Sequence, residues 1–169
     1  MQIEGLATGD FIPRHNNLLM VGWSGIGKSH IIQALGQRAC VNGYRVLYQT
    51  SAQLLTDFTA SLADKTLPMR LRRYTKPDFL IDEFGFEKIE RSECPEAAHL
   101  LYKVIDSRTQ KRSAALVTNL DFEKWSDDLS DDPLAMALLD RIVRGAIIMK
   151  LTGKSYRAEK TKALENHAA

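Results

Sequence analysis

Along this chain short apolar runs alternate with longer stretches whose apolar residues return every three to four positions, a pattern that predicts strands and helices in turn. Residues 5–12 form a short lead-in that ends at Pro13 and the polar turn His15-Asn16-Asn17. Residues 17–21 read as a buried strand, residues 29–40 as a helix with Cys40 in its core, and Asn42-Gly43 as the helix stop. A second strand follows at 44–49, and Thr50-Ser-Ala-Gln53 offers a capping box for a helix through Leu54, Leu55, Phe58 and Leu62. Phe79-Leu-Ile-Asp-Glu83 reads as a third strand, although only three apolar residues precede Asp82. Ser92 and Glu93 open a long helix, with Pro95 in its first turn and Ala97, Leu100, Leu101, Val104 and Ile105 at core-facing spacing. A fourth strand spans 113–119. Residues 122–133 are acidic, with Trp125 as an anchor, and Pro133 starts a helix through Leu134, Ala137, Leu138, Arg141 and Ile142. Residues 146–151 give a last strand, before a charged tail. Five strands alternating with helices predict an α/β, doubly wound, mainly parallel five-stranded sheet with helices on both faces.

Composition narrows this picture without redirecting it. At 169 residues and 44% apolar content the chain is expected to be a single domain, residues 1–169, that folds without staples. Two cysteines, Cys40 and Cys94, are too few for a disulfide framework, and no apolar run reaches the length of a membrane span. Met1 to His15 lacks the features of a signal peptide, so a cytoplasmic location is expected. The net charge of +2 makes no global case for nucleic acid, and any such case must come from local clusters.

The chemistry begins between the first strand and the first long helix. Gly22-Trp-Ser-Gly-Ile-Gly-Lys-Ser29 satisfies G-x-x-x-x-G-K-[ST], the phosphate loop, in the strand-loop-helix setting it requires. Glycines 22, 25 and 27 can turn backbone N–H groups inward beside a helix N-terminus, so Gly22, Ser24, Gly25, Ile26, Gly27, Lys28, Ser29 and His30 are expected to cradle the phosphates of ATP or ADP. Lys28 would reach the β- and γ-phosphates and Ser29 would ligate Mg²⁺. Trp23 either packs at the edge of the site or stacks on a base, and the lead-in either covers the adenine or packs as an arm.

Asp82 and Glu83 stand at the end of the third strand, where alternation forbids them the same task. The first suits Mg²⁺, through its water shell; the second suits polarising an attacking water. Asn119, at the end of another strand, is placed to orient that water, although asparagine is also an ordinary turn residue. Lys65, Arg70, Arg72, Arg73 and Lys76 gather within twelve residues, and Lys111 and Arg112 close a second basic cluster beginning at Arg108. They are candidate DNA phosphate contacts, or a solvated helix face. His99 has no metal-spaced partner and is expected at the surface.

Taken together, Leu6-Ala-Thr-Gly9, the phosphate loop, Ile81-Asp-Glu-Phe-Gly85, Thr118-Asn-Leu120, Leu139-Asp-Arg141 and Gly153-Lys-Ser-Tyr-Arg157 resemble the AAA+ ATPases of the IstB/DnaC group, most closely the IstB branch that assists insertion-sequence transposition. The resemblance runs from about residue 6 to residue 157. It implies that Arg141 is an arginine finger reaching a neighbouring subunit's nucleotide, with Arg144 as a rival, and that Arg157 is the sensor 2 arginine. It departs at Trp23-Ser24, where the family carries small residues or proline. The chain also starts just before the ATPase core, implying that the family's N-terminal partner-binding domain is absent, with little or no C-terminal lid.

The expectation is an ATPase, weak unless assembled as a homo-oligomer, that binds duplex DNA and engages a transposase in the bacterial cytoplasm, with no membrane contact. A DnaC-like loader of a replicative helicase on single-stranded DNA is the alternative. A small P-loop kinase and a nucleotide-switched module without turnover are the more remote ones.

Overall fold

The computed structural model describes residues 2–84, 97–119 and 132–156. Along the chain it has α1 (Gln2–Ala7), β1 (Leu18–Gly22), α2 (Lys28–Val41), β2 (Val46–Thr50), α3 (Ser51–Ala63), α4 (Leu67–Thr75), β3 (Phe79–Phe84), α5 (Ala97–Arg108), β4 (Ser113–Thr118), α6 (Asp132–Val143) and β5 (Ile147–Leu151). The strands form one sheet in the order β2-β3-β4-β1-β5, and every pairing is parallel. Parallel neighbours need helical crossovers, which cover both faces and explain why β1 and β4 read as unbroken apolar runs rather than alternating ones.

Each face carries its own core. Ile32, Leu35 and Ala39 of α2, with Leu6 of α1 and the turn residues Phe11 and Ile12, pack on Leu18, Met20, Phe79, Ile81, Ala115 and Val117. Leu54 and Phe58 of α3, Tyr74 of α4, four residues of α5 and Leu138 and Ile142 of α6 pack on Leu19, Leu80 and Leu116. Strand alternation sorts the two sets. The capping box read at Thr50 is present: the Gln53 N–H donates to Thr50 Oγ1 (3.3 Å) and the Thr50 N–H to Gln53 Oε1 (3.1 Å).

Several expectations need correction. The lead-in begins as a helix, and its apolar residues are buried against α2 and the sheet as an arm. Cys40 is exposed rather than core, because Ile32, Leu35, Gly36 and Ala39 form the buried stripe of α2 and Cys40 falls one step off it. The helix expected through Leu62 is present as α3, and Leu62 lies on its exposed side. Ser61 completes the buried stripe of α3 instead, its hydroxyl satisfied by donating to the Phe58 carbonyl (2.7 Å). Arg108, placed in a basic cluster by the sequence, is only 1% exposed. Its guanidinium donates to the carbonyls of Tyr74 (2.9 Å), Pro77 (3.0 Å) and Ser113, tying α4 and the amino ends of β3 and β4 together. Asn17, just ahead of β1, is buried and links sheet to helix: its Nδ2 donates to the Ile142 carbonyl (3.1 Å) and its Oδ1 accepts from the Ala114 N–H (3.0 Å). The start expected at Ser92, the segment with Trp125, and the question of a lid after residue 156 fall outside the described residues.

Candidate functional site

The loop between β1 and α2 is built by glycine. Gly25 (φ +81°) and Gly27 (φ +94°) take left-handed conformations that residues with a Cβ resist. At Gly22 a Cβ would come within 2.4 Å of the Leu151 carbonyl oxygen and 2.6 Å of Ile26 Cδ1, so β5 and the loop close on that position. Gly27 is the N-cap of α2 and supplies no side-chain cap. The first-turn N–H groups of a helix lack intrahelical partners, and with the helix dipole they suit an anion at this point. Lys28 Nζ donates to the carbonyls of Gly22 (2.6 Å) and Trp23 (2.8 Å), which holds the ammonium across the loop. A cavity of about 390 Å³ opens there, lined by residues 24–30 and Tyr156. Of the residues expected to cradle phosphate, all but Gly22 therefore line this one cavity.

Two aromatic rings stand at this loop, and the structure separates them. Trp23 is 79% exposed and does not line the cavity, so it does not pack at the edge of the site. Tyr156, to which the sequence reading gave no role, does line it, and its N–H donates to the Gly25 carbonyl (3.0 Å). No spacing rule shows that residue 156 returns to residue 25; the only signal was the neighbouring Arg157. Arg157 itself lies outside the described residues.

At the carboxyl ends of the strands stand the other predicted groups. Glu83 shares its strand parity with Ile81 and so the face of α2. Its carboxylate accepts from the Tyr48 hydroxyl (2.7 Å), which in turn accepts from Gln33 Nε2 of α2 (3.0 Å). Burial, and then the bond to Glu83, raises the Tyr48 phenol above its ordinary range. Asp82 has the parity of Leu80 and is 1% exposed. Thr118, the last residue of β4, is in register with Val21 and Phe84, so the exposed Asn119 emerges between the loop strand and the carboxylate strand. This is the edge at which parallel α/β sheets bind ligands. No trio of His, Cys, Asp and Glu gathers among the described residues. The oxygens expected to meet a metal, the Ser29 hydroxyl and the Asp82 carboxylate, are hard donors of the kind that suit an ion whose remaining ligands are phosphate and water.

The finger candidates lie on and just after α6. Arg141 Nε donates to Asp106 Oδ1 of α5 (2.7 Å) and its Nη1 to Asp140 Oδ2 (2.9 Å), which Arg144 also approaches (3.1 Å). The bond to Asp106 is the main reason the Arg141 guanidinium is held above its ordinary pKa. Within one chain, both arginines are thus paired.

The basic residues divide. Arg70 pairs with Asp57 and Asp64, and Arg112 with Asp78 (2.8 Å), which also binds Arg45. Arg73 lies 6.0 Å from the Tyr74 ring centroid and lines a groove of about 560 Å³ between β2, α3 and α4. In the same groove the buried Gln49 Nε2 has no hydrogen-bond partner among the described residues. Lys65, Arg72 and Lys111 are exposed. His99 is exposed, as expected.

Comparison with known proteins gives the family and the fold. The family described as IstB-like ATP binding protein matches residues 1–164. The chain is 34% identical over 165 residues to a protein of Geobacillus stearothermophilus named as the insertion sequence IS5376 ATP-binding protein, covering 97% of this chain and 64% of that one. It is also 34% identical over 157 residues to the insertion sequence IS232 counterpart of Bacillus thuringiensis subsp. berliner, covering 92% of this chain and 61% of that one. The chain therefore spans less than two thirds of the length of these relatives. In fold it is similar to the crystal structure of the DnaC helicase loader, at a TM-score of 0.71 and 16% identity over 89% of this chain and 86% of that one. The chain thus shares its fold, a five-stranded all-parallel sheet with helices, with that loader. A family match over almost the whole length, together with the glycine-built phosphate loop, places the chain in the IstB-like ATP-binding protein family.

Proposed function

We propose that this chain binds ATP with Mg²⁺ in the loop cavity, hydrolyses it where subunits meet on DNA, and by that cycle assists a transposase. The observation that carries the reading is the placement of an uncapped helix N-terminus and glycine loop beside a strand edge that bears Glu83 and Asn119. The loop N–H groups and Lys28 take the phosphates. Ser29 and Asp82 would hold Mg²⁺, which when bound neutralises charge on the β- and γ-phosphate oxygens. Asn119 orients a water, Glu83 takes its proton, and the water oxygen bonds to the γ-phosphorus as the bond to the leaving ADP oxygen breaks.

Arg141 from a neighbouring subunit, or Arg144 in its place, stabilises the charge on the transferring phosphoryl, and Arg157 reads the nucleotide in its own subunit. Such a finger is worth about 10³ to 10⁵ in rate. Lys65, Arg72, Arg73 and Lys111 contact DNA phosphates; Arg70 and Arg112 join them only by exchanging an aspartate for a phosphate. The insertion-sequence names of the relatives support transposition as the setting. The DnaC-like fold supports a second reading, a loader on single-stranded DNA.

The test is ATP turnover over a range of protein concentrations, without DNA and with single-stranded or duplex DNA, in wild type, Glu83→Gln and Arg141→Ala. Turnover that rises with protein concentration, is stimulated by duplex and disappears in both variants is the expected result. Stimulation by single strands alone favours the loader. Turnover indifferent to DNA, to protein concentration and to Arg141→Ala refutes the assembled mechanism.

A further inference from the structure

The loop cavity has a polar end and an aromatic rim. Lys28, Ser29 and the first-turn N–H groups of α2 serve a polyanion, but none of them recognises what the phosphates are attached to. Among the described residues that line the cavity two carry aromatic rings, Tyr156 and His30; the His30 imidazole stands in the first turn of α2, among the residues expected to take the phosphates, and Tyr156 has the one phenol ring. It is fixed in place, because its own N–H is bonded to the Gly25 carbonyl and the preceding strand β5 pairs with β1 through Gly22. Yet Tyr156 as a whole is 70% exposed. A backbone anchored to the loop, carrying an exposed aromatic side chain that lines a phosphate site, suits a platform for a flat heterocycle. Trp23, in the loop itself, is also exposed but stands outside the cavity lining.

We propose that Tyr156 is a specificity-determining residue of this site, its ring stacking on the base of the bound nucleotide while its backbone braces the phosphate loop. The inference rests on the nucleotide reading given above and adds to it the group that recognises the nucleoside. Base-on-aromatic stacking is worth about 1–3 kcal/mol per base by alanine substitution, or roughly five- to hundredfold in affinity. The contact is with a π-face, so phenylalanine replaces tyrosine. The brace to Gly25 uses main-chain atoms and survives any side chain at 156 other than proline.

The experiment is calorimetric titration of the full chain with ATP, ADP and inorganic tripolyphosphate in the presence of Mg²⁺. Wild type, Tyr156→Ala, Tyr156→Phe and Lys28→Ala are compared, with circular dichroism as the check on folding. Tyr156→Ala should weaken ATP and ADP by the same factor, about tenfold within the stacking range, and leave tripolyphosphate unchanged; Tyr156→Phe should bind all three as wild type does. Equal loss of tripolyphosphate and ATP in Tyr156→Ala, or no loss of ATP, overturns the Tyr156 assignment while leaving the phosphate site intact. ATP affinity that is absent in wild type, or untouched by Lys28→Ala, overturns the nucleotide reading itself and this inference with it.

Discussion

Replacing Arg108 with alanine tests the most unexpected element of the fold. Its guanidinium holds three carbonyls from three segments, and hydrogen bonds to a charged group contribute about 1.5–3 kcal/mol each, or roughly 5–9 in total. Against this, burial, and to a lesser degree the like charge of Arg112, lowers its pKa well below the ordinary guanidinium range, to about 9. That opposes the cation by on the order of 5 kcal/mol. The carbonyl dipoles pull in its favour, and at neutral pH the group stays charged. The cation's net contribution is therefore small, but truncation removes the donors and leaves the acceptors buried beside a cavity. Arg108→Ala should cost about 3–5 kcal/mol, since three buried carbonyls are left without a donor at about 1–3 kcal/mol each and some regain water. Arg108→Lys keeps the charge but loses the planar fork, and should cost about 2. Urea unfolding followed by far-UV circular dichroism measures both; in a heat scan the alanine variant should melt roughly 6–20 °C lower. Nucleotide affinity of the folded variant should be unchanged, because Ser113 and Pro77 lie at the amino ends of the strands, opposite the phosphate loop. A loss under about 1 kcal/mol for Arg108→Ala would refute the reasoning.

Two further outcomes follow from the ion pairs. Asp106→Asn removes the charge that holds Arg141 within its own chain. Exposed pairs contribute no more than about 1 kcal/mol, so stability should hardly move while turnover at fixed protein concentration rises up to roughly fivefold; unchanged turnover would show that this pair does not restrain the finger. Asp78 is held down to about pKa 2, chiefly by the hydrogen bonds from the Arg45 side chain and N–H. A carboxyl depressed in the folded state stabilises fully above its unfolded value near 4, and the gain is lost as pH falls toward 2. Asp78→Asn should flatten the fall in melting temperature between pH 4 and pH 2, and a fall as steep as that of wild type would count against the assignment.

The sequence by itself determined the elements and the phosphate end of the site. Apolar runs bounded by Gly, Asn and Pro are local signals, and the glycine loop is a local backbone requirement, so residues 22–30 could be placed without knowing what surrounds them. Buried stripes were largely legible from period alone, as at Leu100, Leu101, Val104 and Ile105. The misreading at Cys40 arose because a helix stripe is narrow and one step along the chain turns a residue by 100°. Tertiary structure decided whatever depends on a partner distant in sequence. Only the order β2-β3-β4-β1-β5 sets Asn119 between the loop and the carboxylates. Only packing turns Arg108 inward onto carbonyls, pairs Glu83 with Tyr48, and fastens Arg141 to Asp106. The return of Tyr156 to Gly25 belongs to the same class, since β5 delivers it there by pairing with β1, and a one-dimensional pattern contains no term for the distance between residues 25 and 156.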